Sequence, residues 1–274
     1  MRTMNESIKE IKVVKTSHLR ELYEQRDLVL SFAMRDIKTR YKQTVFGMLW
    51  AILQPLSMMV IFTMVFSLFA KVPSDGLPYA IFSYSALIFW NFFASALSQG
   101  TNAMVSNGNL VRKIYFPREV LLLAVILSAA VDLAVAGSIF LAMLLYYQIT
   151  PTLMVIWIVP LFACQSALMF GIICVTSALH VNFRDIGHAV PLVSQLWMFA
   201  TPVAYPLSVV PDRLLWLLLL NPMTPIIEGY RRVILHGQAP EMTHLAISAA
   251  FTIACLLVGY MTFKRVSLVF ADVI

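Results

Sequence analysis

The apolar residues of this chain fall into six long stretches that polar segments separate. The first, residues 45–70, contains no charged side chain over 26 positions, which exceeds the roughly 20 residues that a helix needs to cross a bilayer. The other stretches occupy residues 77–97, 120–147, 153–179, 189–205 and 244–263. This pattern predicts an all-α, polytopic membrane protein with six transmembrane helices.

A basic segment runs without interruption into the first of these stretches. On a helix over residues 28–44, Met34 and Ile37 share one face, whereas Arg35 and Lys38 lie on another. A helix of this kind lies at the membrane surface, with its cationic side toward anionic headgroups. We therefore predict an amphipathic interface helix at residues 28–44 that leads into the first spanning helix.

Residues 206–242, between the fifth and sixth stretches, have a different character. Their apolar core, residues 214–220, is seven residues long and has Pro211 before it and Pro222 after it. Such a core is too short to span a membrane, and irregular backbone at membrane depth needs protein or a water-filled cavity around it. The segment is therefore predicted to form a re-entrant or interfacial helical pair.

Positively charged residues give the orientation. Six spans with both termini in the cytoplasm place 16 of the 20 lysines and arginines inside and four outside, in agreement with the positive-inside rule. A seven-span arrangement gives the same ratio, so the count does not choose between the two. The broken, proline-rich sequence of residues 206–242 is what favours six.

Composition agrees with a membrane protein and excludes other classes. The chain is 60% hydrophobic and 12% charged, with a mean hydropathy of +0.80, whereas soluble domains carry about 25% charged residues. The net charge of +6 comes from residues beside the apolar stretches, which favours contact with membrane lipids over binding of nucleic acid. The three cysteines have no metal-ligand spacing, so no metal site is expected.

The N-terminal residues indicate how the chain is divided. Residues 1–27 are polar, carry charges of both signs and lack the apolar core of a signal peptide. We expect them to form a cytoplasmic segment, followed by the interface helix at 28–44 and a transmembrane domain at 45–274. The first spanning helix is expected to be retained as its own anchor.

Two loops on the predicted cytoplasmic side differ in character from the other connecting segments. In the first loop, residues 110–116 form a short basic segment with Arg112 and Lys113, and the second, residues 180–188, carries Arg184 beside Asp185. Both could be solvated connectors. Together with the basic interface helix, however, they suggest a docking face for a cytosolic protein.

No phosphate-binding loop of the form G-x-x-x-x-G-K-[ST] is present in the sequence. No pattern typical of a serine hydrolase or a zinc protease occurs either. If ATP drives transport by this protein, the ATPase must therefore be another chain. We expect no cofactor in this chain, with ATP and Mg²⁺ bound by that partner.

Several segments, in order along the chain, resemble the membrane (permease) subunit of the ABC-2 type exporters of bacterial cell-surface polysaccharides. These segments are 40–50 with Gln54-Pro55, 90–93, 106–119, 182–185, 195–202, Tyr205-Pro206 and 221–231. The resemblance is greatest to the exporters of lipopolysaccharide O-antigen. The alternatives are an ABC-2 exporter of a drug or other lipid, or a membrane-embedded glycosyl- or acyltransferase.

The resemblance implies a homodimeric permease in the inner membrane with two copies of a separate ABC ATPase. A lipid-linked glycan would be the substrate. The interface helix and the two loops would contact the ATPase, and the short helices between the fifth and sixth spans would gate the outer side. The implied ATPase-coupling residues are Arg35, Lys38, Arg112, Lys113, Phe183, Arg184 and Asp185. The implied outer-gate residues are Asn221, Pro222, Glu228, Arg231 and Arg232.

Sugars present C–H faces that pack on aromatic rings and hydroxyls that need polar partners. A channel for them needs aromatic side chains and uncharged polar groups, although aromatic residues in spans more often serve as interface anchors or packing residues. The candidates for channel lining are Phe46, Trp50, Phe62, Trp90, Trp197 and Tyr205.

Two further expectations concern charged residues. Asp132 is the only acidic residue well inside a predicted span, and it is either a polar contact at the pore or a structural group hydrogen-bonded to Ser128, Ser138 or a neighbouring helix. The sequence favours the structural role. Glu228 and Arg232 are spaced for an i, i+4 ion pair on a helix.

Overall fold

A computed structural model describes residues 25–42, 44–114, 116–267 and 270, and all regular structure within them is helical. The polar segment predicted at 1–27 therefore lies mostly outside the described residues. Ten α-helices lie within those that are described: α1 (Arg26–Tyr41), α2 (Trp50–Phe62), α3 (Tyr79–Ser106), α4 (Gly108–Lys113), α5 (Glu119–Tyr146), α6 (Ile158–Asn182), α7 (Ile186–Phe199), α8 (Asp212–Leu219), α9 (Met223–Ile234) and α10 (Met242–Ser267).

Five helical segments of the described chain are long and apolar enough to cross a membrane. Two of them extend an α-helix: a 3-10 turn and a π-helical end lengthen α2, and a 3-10 turn precedes α6. The segments are Gly47–Phe69, Tyr79–Ser106, Glu119–Tyr146, Leu153–Asn182 and Met242–Ser267. They coincide with five of the six predicted stretches, which confirms the all-helical, polytopic class.

The stretch predicted as the fifth span is helical over only part of its length. Helix α7 has 14 residues, or about 21 Å at 1.5 Å per residue, against the roughly 30 Å of a hydrocarbon core. Turns follow from Ala200. Pro202 accounts for the end of the helix, since proline lacks the N–H of a helical hydrogen bond and disfavours helical backbone in the residue before it.

Helix α3 is the most buried of the long helices and packs against α2, α5, α6, α7 and α9. The ring of Phe89 in α3 stacks on Tyr230 of α9, with their centroids 3.6 Å apart. Gln165 of α6 joins the same group, because its amide donates to the Phe89 carbonyl at 2.8 Å and accepts from the Tyr230 hydroxyl at 3.0 Å. The core of the protomer is thus built around α3.

Helices α6 and α10 approach each other through a pair of glycines. A Cβ atom on Gly259 would lie 2.1 Å from the carbonyl oxygen of Gly171, so no larger residue is accommodated at this spacing. Small residues at a helix crossing let two backbones come into direct contact, which is how membrane helices associate without a hydrophobic driving force.

Helix α1 occupies the position predicted for the interface helix and packs against α5. Ala33 and Ile37 face the protein and are buried, whereas Met34 is 57% exposed. The ring of Phe32 lies 5.8 Å from that of Phe116, which brings α1 next to the loop that follows α4.

Candidate transport path and coupling surfaces

A cavity of about 530 Å³ lies between the end of α1, the first half of α2 and helices α3, α5 and α7. Its wall carries hydroxyl, amide and charged side chains, although the long helices that contribute to it are mostly apolar. The lining residues that carry polar side-chain atoms are Arg40, Tyr41, Thr44, Trp50, Gln54, Asn91, Ser95, Ser98, Gln99, Asp132 and Ser194. A polar cavity enclosed by such helices is typical of a path or a binding site for a polar substrate.

Asp132 meets a cationic partner from the interface helix. The Arg40 guanidinium pairs with one carboxylate oxygen of Asp132 and donates to Gln99 and, at 2.7 Å, to Ser128. The Tyr41 hydroxyl donates to the other carboxylate oxygen at 2.7 Å. The sequence suggested Ser128, Ser138 or a neighbouring helix as the partner of Asp132. In the structure Ser128 is connected to Asp132 through Arg40, and the neighbouring helix that binds Asp132 is α1.

The Arg40–Asp132 pair leaves the cavity without a net charge from these two residues. Burial and the hydrogen bond to Asp132 raise the pKa of Tyr41 to about 12, so its hydroxyl remains a donor at physiological pH. Within the part of the chain that the structure describes, the side-chain nitrogen of Asn91 is buried and has no hydrogen-bond partner. An unsatisfied buried donor costs free energy unless a ligand or water accepts from it.

Among the six aromatic candidates for channel lining, Trp50 lies on the cavity wall. Phe46 stands edge-on to it with centroids 5.6 Å apart, and both side chains are about half exposed. Phe62 and Trp90 are buried within the protomer, at 4% and 2% exposure. They reach a channel only if neighbouring helices move apart.

The two remaining aromatic candidates belong to α7 and the turns after it. Trp197 packs edge-on against Trp90, with centroids 6.3 Å apart, and its indole N–H donates to Asn221 Oδ1 at 2.8 Å. Tyr205 lies in the turns and is half-buried. The role of these residues in lining a channel stays a prediction.

Asn221 joins the short helices α8 and α9 to the end of α7. Its amide nitrogen donates to Thr201 Oγ1 at 2.8 Å and to the Ala200 carbonyl at 3.2 Å, while its Oδ1 accepts from the Met223 N–H at 3.0 Å. Pro222 follows it, is buried and begins the first turn of α9. The Asn221 side chain thus links the end of α7 and the turn after it to the start of α9.

Arg231 of α9 is 1% exposed and lies with its guanidinium 3.8 Å from the centroid of the Phe82 ring. It donates to the carbonyls of Pro202 and Val203 at 3.0 and 3.2 Å. These bonds supply partners for carbonyls in a stretch that Pro202 keeps out of a helix. Arg231 therefore fixes the turn after α7 against α3 and α9.

The prediction of an ion pair between Glu228 and Arg232 was wrong. Glu228 pairs with Arg231 at 3.2 Å, and Arg232 pairs with Glu241 at 3.2 Å. The helix directs Arg231 into the protein and Arg232 toward the segment before α10, so the i, i+3 partner is the closer one for Glu228.

The implied coupling residues lie on three exposed segments. On α1, Lys38 is exposed, and Arg35 pairs with Asp36 at 2.8 Å. On α4, which covers residues 110–113 of the predicted 110–116 segment, Arg112 and Lys113 are exposed. On the loop between α6 and α7, the exposed residues are Phe183, Arg184 and Asp185.

These segments lie at one end of the helix bundle. Phe116 beside Phe32 joins the first loop to α1, and Asn102, in the last turns of α3, is adjacent to Gly187 at the start of α7. Lys264, near the end of α10, pairs with Glu119 at the start of α5 at 2.5 Å. The structure therefore brings together segments that are more than 70 residues apart in sequence.

Sequence reasoning did not select Arg40, Gln99 or Asn91, although all three line the cavity. Arg40 is one of several basic residues on α1, and its sequence position gave no sign that it points inward. A polar residue in an apolar stretch, such as Asn91, was the one available signal, since its burial requires a partner.

Comparison with known proteins places this arrangement among transporters. The sequence model of the family described as ABC-2 type transporter matches residues 27–235. The chain is 28% identical to the O-antigen export system permease protein RfbA of Klebsiella pneumoniae over 249 residues, which cover 90% of this chain and 95% of that protein. It is 28% identical to the protein of the same name from Myxococcus xanthus, over 87% of this chain and 92% of that one. The polysialic acid transport protein KpsM of Escherichia coli is 23% identical over 88% of this chain and 93% of its own length.

Proposed function

The chain belongs to the ABC-2 type transporter family, and on that premise we propose that it exports a lipid-linked polysaccharide, of the O-antigen class, across the inner membrane. It is an integral membrane subunit of a transporter that works with an ABC ATPase, and not an enzyme. The names of its relatives, which concern O-antigen and polysialic acid, favour a glycan over a drug or another lipid.

The observation that carries the proposal is the cavity beside Trp50. Its wall combines an aromatic ring with uncharged hydroxyl and amide groups, and its two charges, on Arg40 and Asp132, neutralise each other. Sugar rings need this combination: C–H faces stack on aromatic surfaces, hydroxyls exchange hydrogen bonds with polar groups, and the absence of a strong net charge lets the chain move on.

We propose a topology of six crossings of the membrane with both termini in the cytoplasm. The positions of α7 and of the turns after it support this topology. Helix α7 starts at the end of the bundle that carries Phe183, whereas the Ala204 carbonyl accepts from the Tyr79 hydroxyl, at the opposite end of α3, at 2.5 Å. A helix and a turn together therefore make the fifth crossing.

Contacts of α8 and α9 support the re-entrant pair. Ser208, before α8, donates to Asp75 at 2.7 Å on the outer side. Asn221, between α8 and α9, reaches Trp197, which packs against the middle of α3. The chain returns outward along α9 to Gly237, which contacts Thr152. We propose that this pair, held by Asn221 and Arg231, closes the outer side of the path.

A homodimer agrees with the surface of the protomer. Within α2 only Pro55 and Phe62 are buried, although the helix is strongly apolar. The exposed face of α7 carries Leu192, Leu196 and Phe199. We propose that these two helices of each copy border the channel between the two permeases. The remaining exposed apolar surface would face lipid.

The proposed cycle starts with the partner subunits. ATP and Mg²⁺ bind there and bring the two ATPases together, and this chain receives the motion through α1, α4 and the loop at 183–185. The nucleotide thus biases a two-state assembly through differential contacts in its two states. Opening of the path then admits the lipid-linked glycan.

A deletion strain complemented with the wild-type chain tests the proposal. Without the chain, surface polysaccharide should be lost and lipid-linked glycan should accumulate inside the membrane, and complementation should reverse both changes. Normal surface polysaccharide in the deletion strain, together with a change in drug sensitivity, would contradict a glycan substrate. It would favour the alternative, an ABC-2 exporter of a drug or other lipid. A cysteine introduced at position 272 tests the topology, because labelling by an impermeant external reagent would contradict a cytoplasmic C-terminus.

A further inference from the structure

His180 lies beneath the loop that joins α6 to α7. Its side chain is 5% exposed, whereas the loop residues Phe183, Arg184 and Asp185 above it are exposed. The Nδ1 atom of its ring accepts from the backbone N–H of Gly187 at 3.0 Å. The ring therefore connects the last turn of α6 to the first turn of α7, on the far side of the exposed loop.

The contact depends on the absence of a side chain at position 187. A Cβ atom there would lie 2.5 Å from Cε1 and 3.0 Å from Nε2 of His180, and 3.1 Å from the side-chain oxygen of Asn102. Because the ring is buried, it has no room to retreat. Only glycine lets the start of α7 lie against the imidazole and against α3 at the same time.

The first turn of α7 needs an external partner. Backbone N–H groups at the start of a helix have no intrahelical acceptor, and the Gly187 N–H reaches the Arg184 carbonyl at only 3.3 Å. Pro191, four residues later, has no N–H to donate to the Gly187 carbonyl. His180 thus adds a hydrogen bond where the helix itself has fewer than usual.

The same face of α7 reaches the cavity. Gly187, Pro191 and Ser194 are spaced i, i+4 and i+7, so they lie on one side of the helix, and Pro191 and Ser194 both line the cavity. A displacement of the exposed loop that is carried through the His180–Gly187 contact therefore moves the cavity wall.

We infer that His180 is a positioning residue that ties the 183–185 loop to α7, so that motion of the partner ATPase reaches the transport path. Without the Nδ1 acceptor, displacement of the loop is transmitted less completely to α7. Less glycan is then exported for each ATP that the partner hydrolyses. This inference rests on the proposed export function.

The test uses the full chain in complex with its ATPase in liposomes, with lipid-linked glycan extracted from the deletion strain as the probe. Glycan exported per ATP hydrolysed is compared among variants. In His180→Ala we expect this ratio to fall about tenfold, as the loss of one buried hydrogen bond can produce in an equilibrium, with basal ATP hydrolysis unchanged. His180→Asn, whose Oδ1 can take the place of Nδ1, should restore most of the ratio. His188→Ala is the matched control, because His188 is exposed in the same segment.

Gly187→Ala provides a second variant that retains His180 and removes the space that its ring occupies beside α7, and it should lower the ratio as well. Wild-type ratios in His180→Ala or in Gly187→Ala would overturn the inference. So would an equal loss in His180→Asn and His180→Ala, because packing of the ring would then be the cause. If the wild-type chain itself exports no glycan, the proposed function fails, and that result is distinct from the others.

Discussion

Arg40 at the end of the interface helix forms an ion pair with Asp132 in the third spanning helix, 92 residues later. The pair connects a segment that we propose to contact the ATPase with the wall of the cavity. Both side chains are largely buried, at 25% and 19% exposure. Because most of each side chain is removed from water, each charge depends on the other for its stabilisation.

Asp132→Asn should therefore destabilise the protein by about 1–3 kcal/mol, because the Arg40 charge loses its counter-ion while it remains partly buried. Thermal unfolding of the purified complex measures the effect. The double variant Arg40→Gln with Asp132→Asn should recover part of the loss, which a double-mutant cycle quantifies. Asp36→Asn, which breaks the more exposed pair with Arg35, should have little effect. Additive losses in the cycle would contradict the coupling.

Asn91→Leu should lower export about tenfold with normal assembly, because a sugar hydroxyl loses a buried donor of the cavity wall that has no partner within the described residues. Surface polysaccharide and the amount of permease in the membrane are measured together. Ser138→Ala serves as the control, since Ser138 is exposed on α5 and donates to its own helix. Normal export in Asn91→Leu would exclude the amide from the path.

Arg184→Glu should uncouple ATP hydrolysis from export, because it reverses the charge at the exposed tip of the loop between α6 and α7. The measurement is hydrolysis with and without lipid-linked glycan. Arg213→Glu makes the same charge change at an exposed position that we assign to the outer side, and it should leave coupling intact. Unchanged glycan-stimulated hydrolysis in Arg184→Glu would count against docking at this loop.

Arg231→Met should cost about 2–4 kcal/mol, since the carbonyls of Pro202 and Val203 lose their buried donor. The expected result is a lower unfolding temperature and a leak of small polar solutes through the loosened outer side. Arg232→Met is the matched control, because the neighbouring Arg232–Glu241 pair is partly exposed. Equal effects of the two variants would show that burial of Arg231 is unimportant.

Gly259→Ala should disrupt the contact between α6 and α10, because its Cβ would lie 2.1 Å from the Gly171 carbonyl oxygen. We expect unfolding at a lower temperature and less permease in the membrane. Gly137→Ala, in a helix where a Cβ meets nothing within 4 Å, should be neutral or stabilise by about 0.5–1 kcal/mol. A stable Gly259→Ala variant would mean that the two helices are not packed at this distance.

The positions of the long helices and of α1 could be predicted from the sequence, because length and hydrophobicity alone decide whether a segment can cross a bilayer. The 189–205 stretch shows the limit of that rule. Its composition is apolar enough for a span, yet Pro202 ends the helix after 14 residues, and the carbonyls beyond it are bound by Arg231 from another helix.

The sequence by itself determined that this is a helical membrane protein, which end of the bundle is basic, and that these 274 residues carry no phosphate-binding loop of the form G-x-x-x-x-G-K-[ST]. Local hydropathy, charge and motif content carry that information. Only the tertiary structure decided that Asp132 pairs with Arg40, that Glu228 pairs with Arg231, and that His180 lies against Gly187. These contacts depend on which helix faces meet, and that is set by the packing of the whole bundle around α3 rather than by spacing along any one segment.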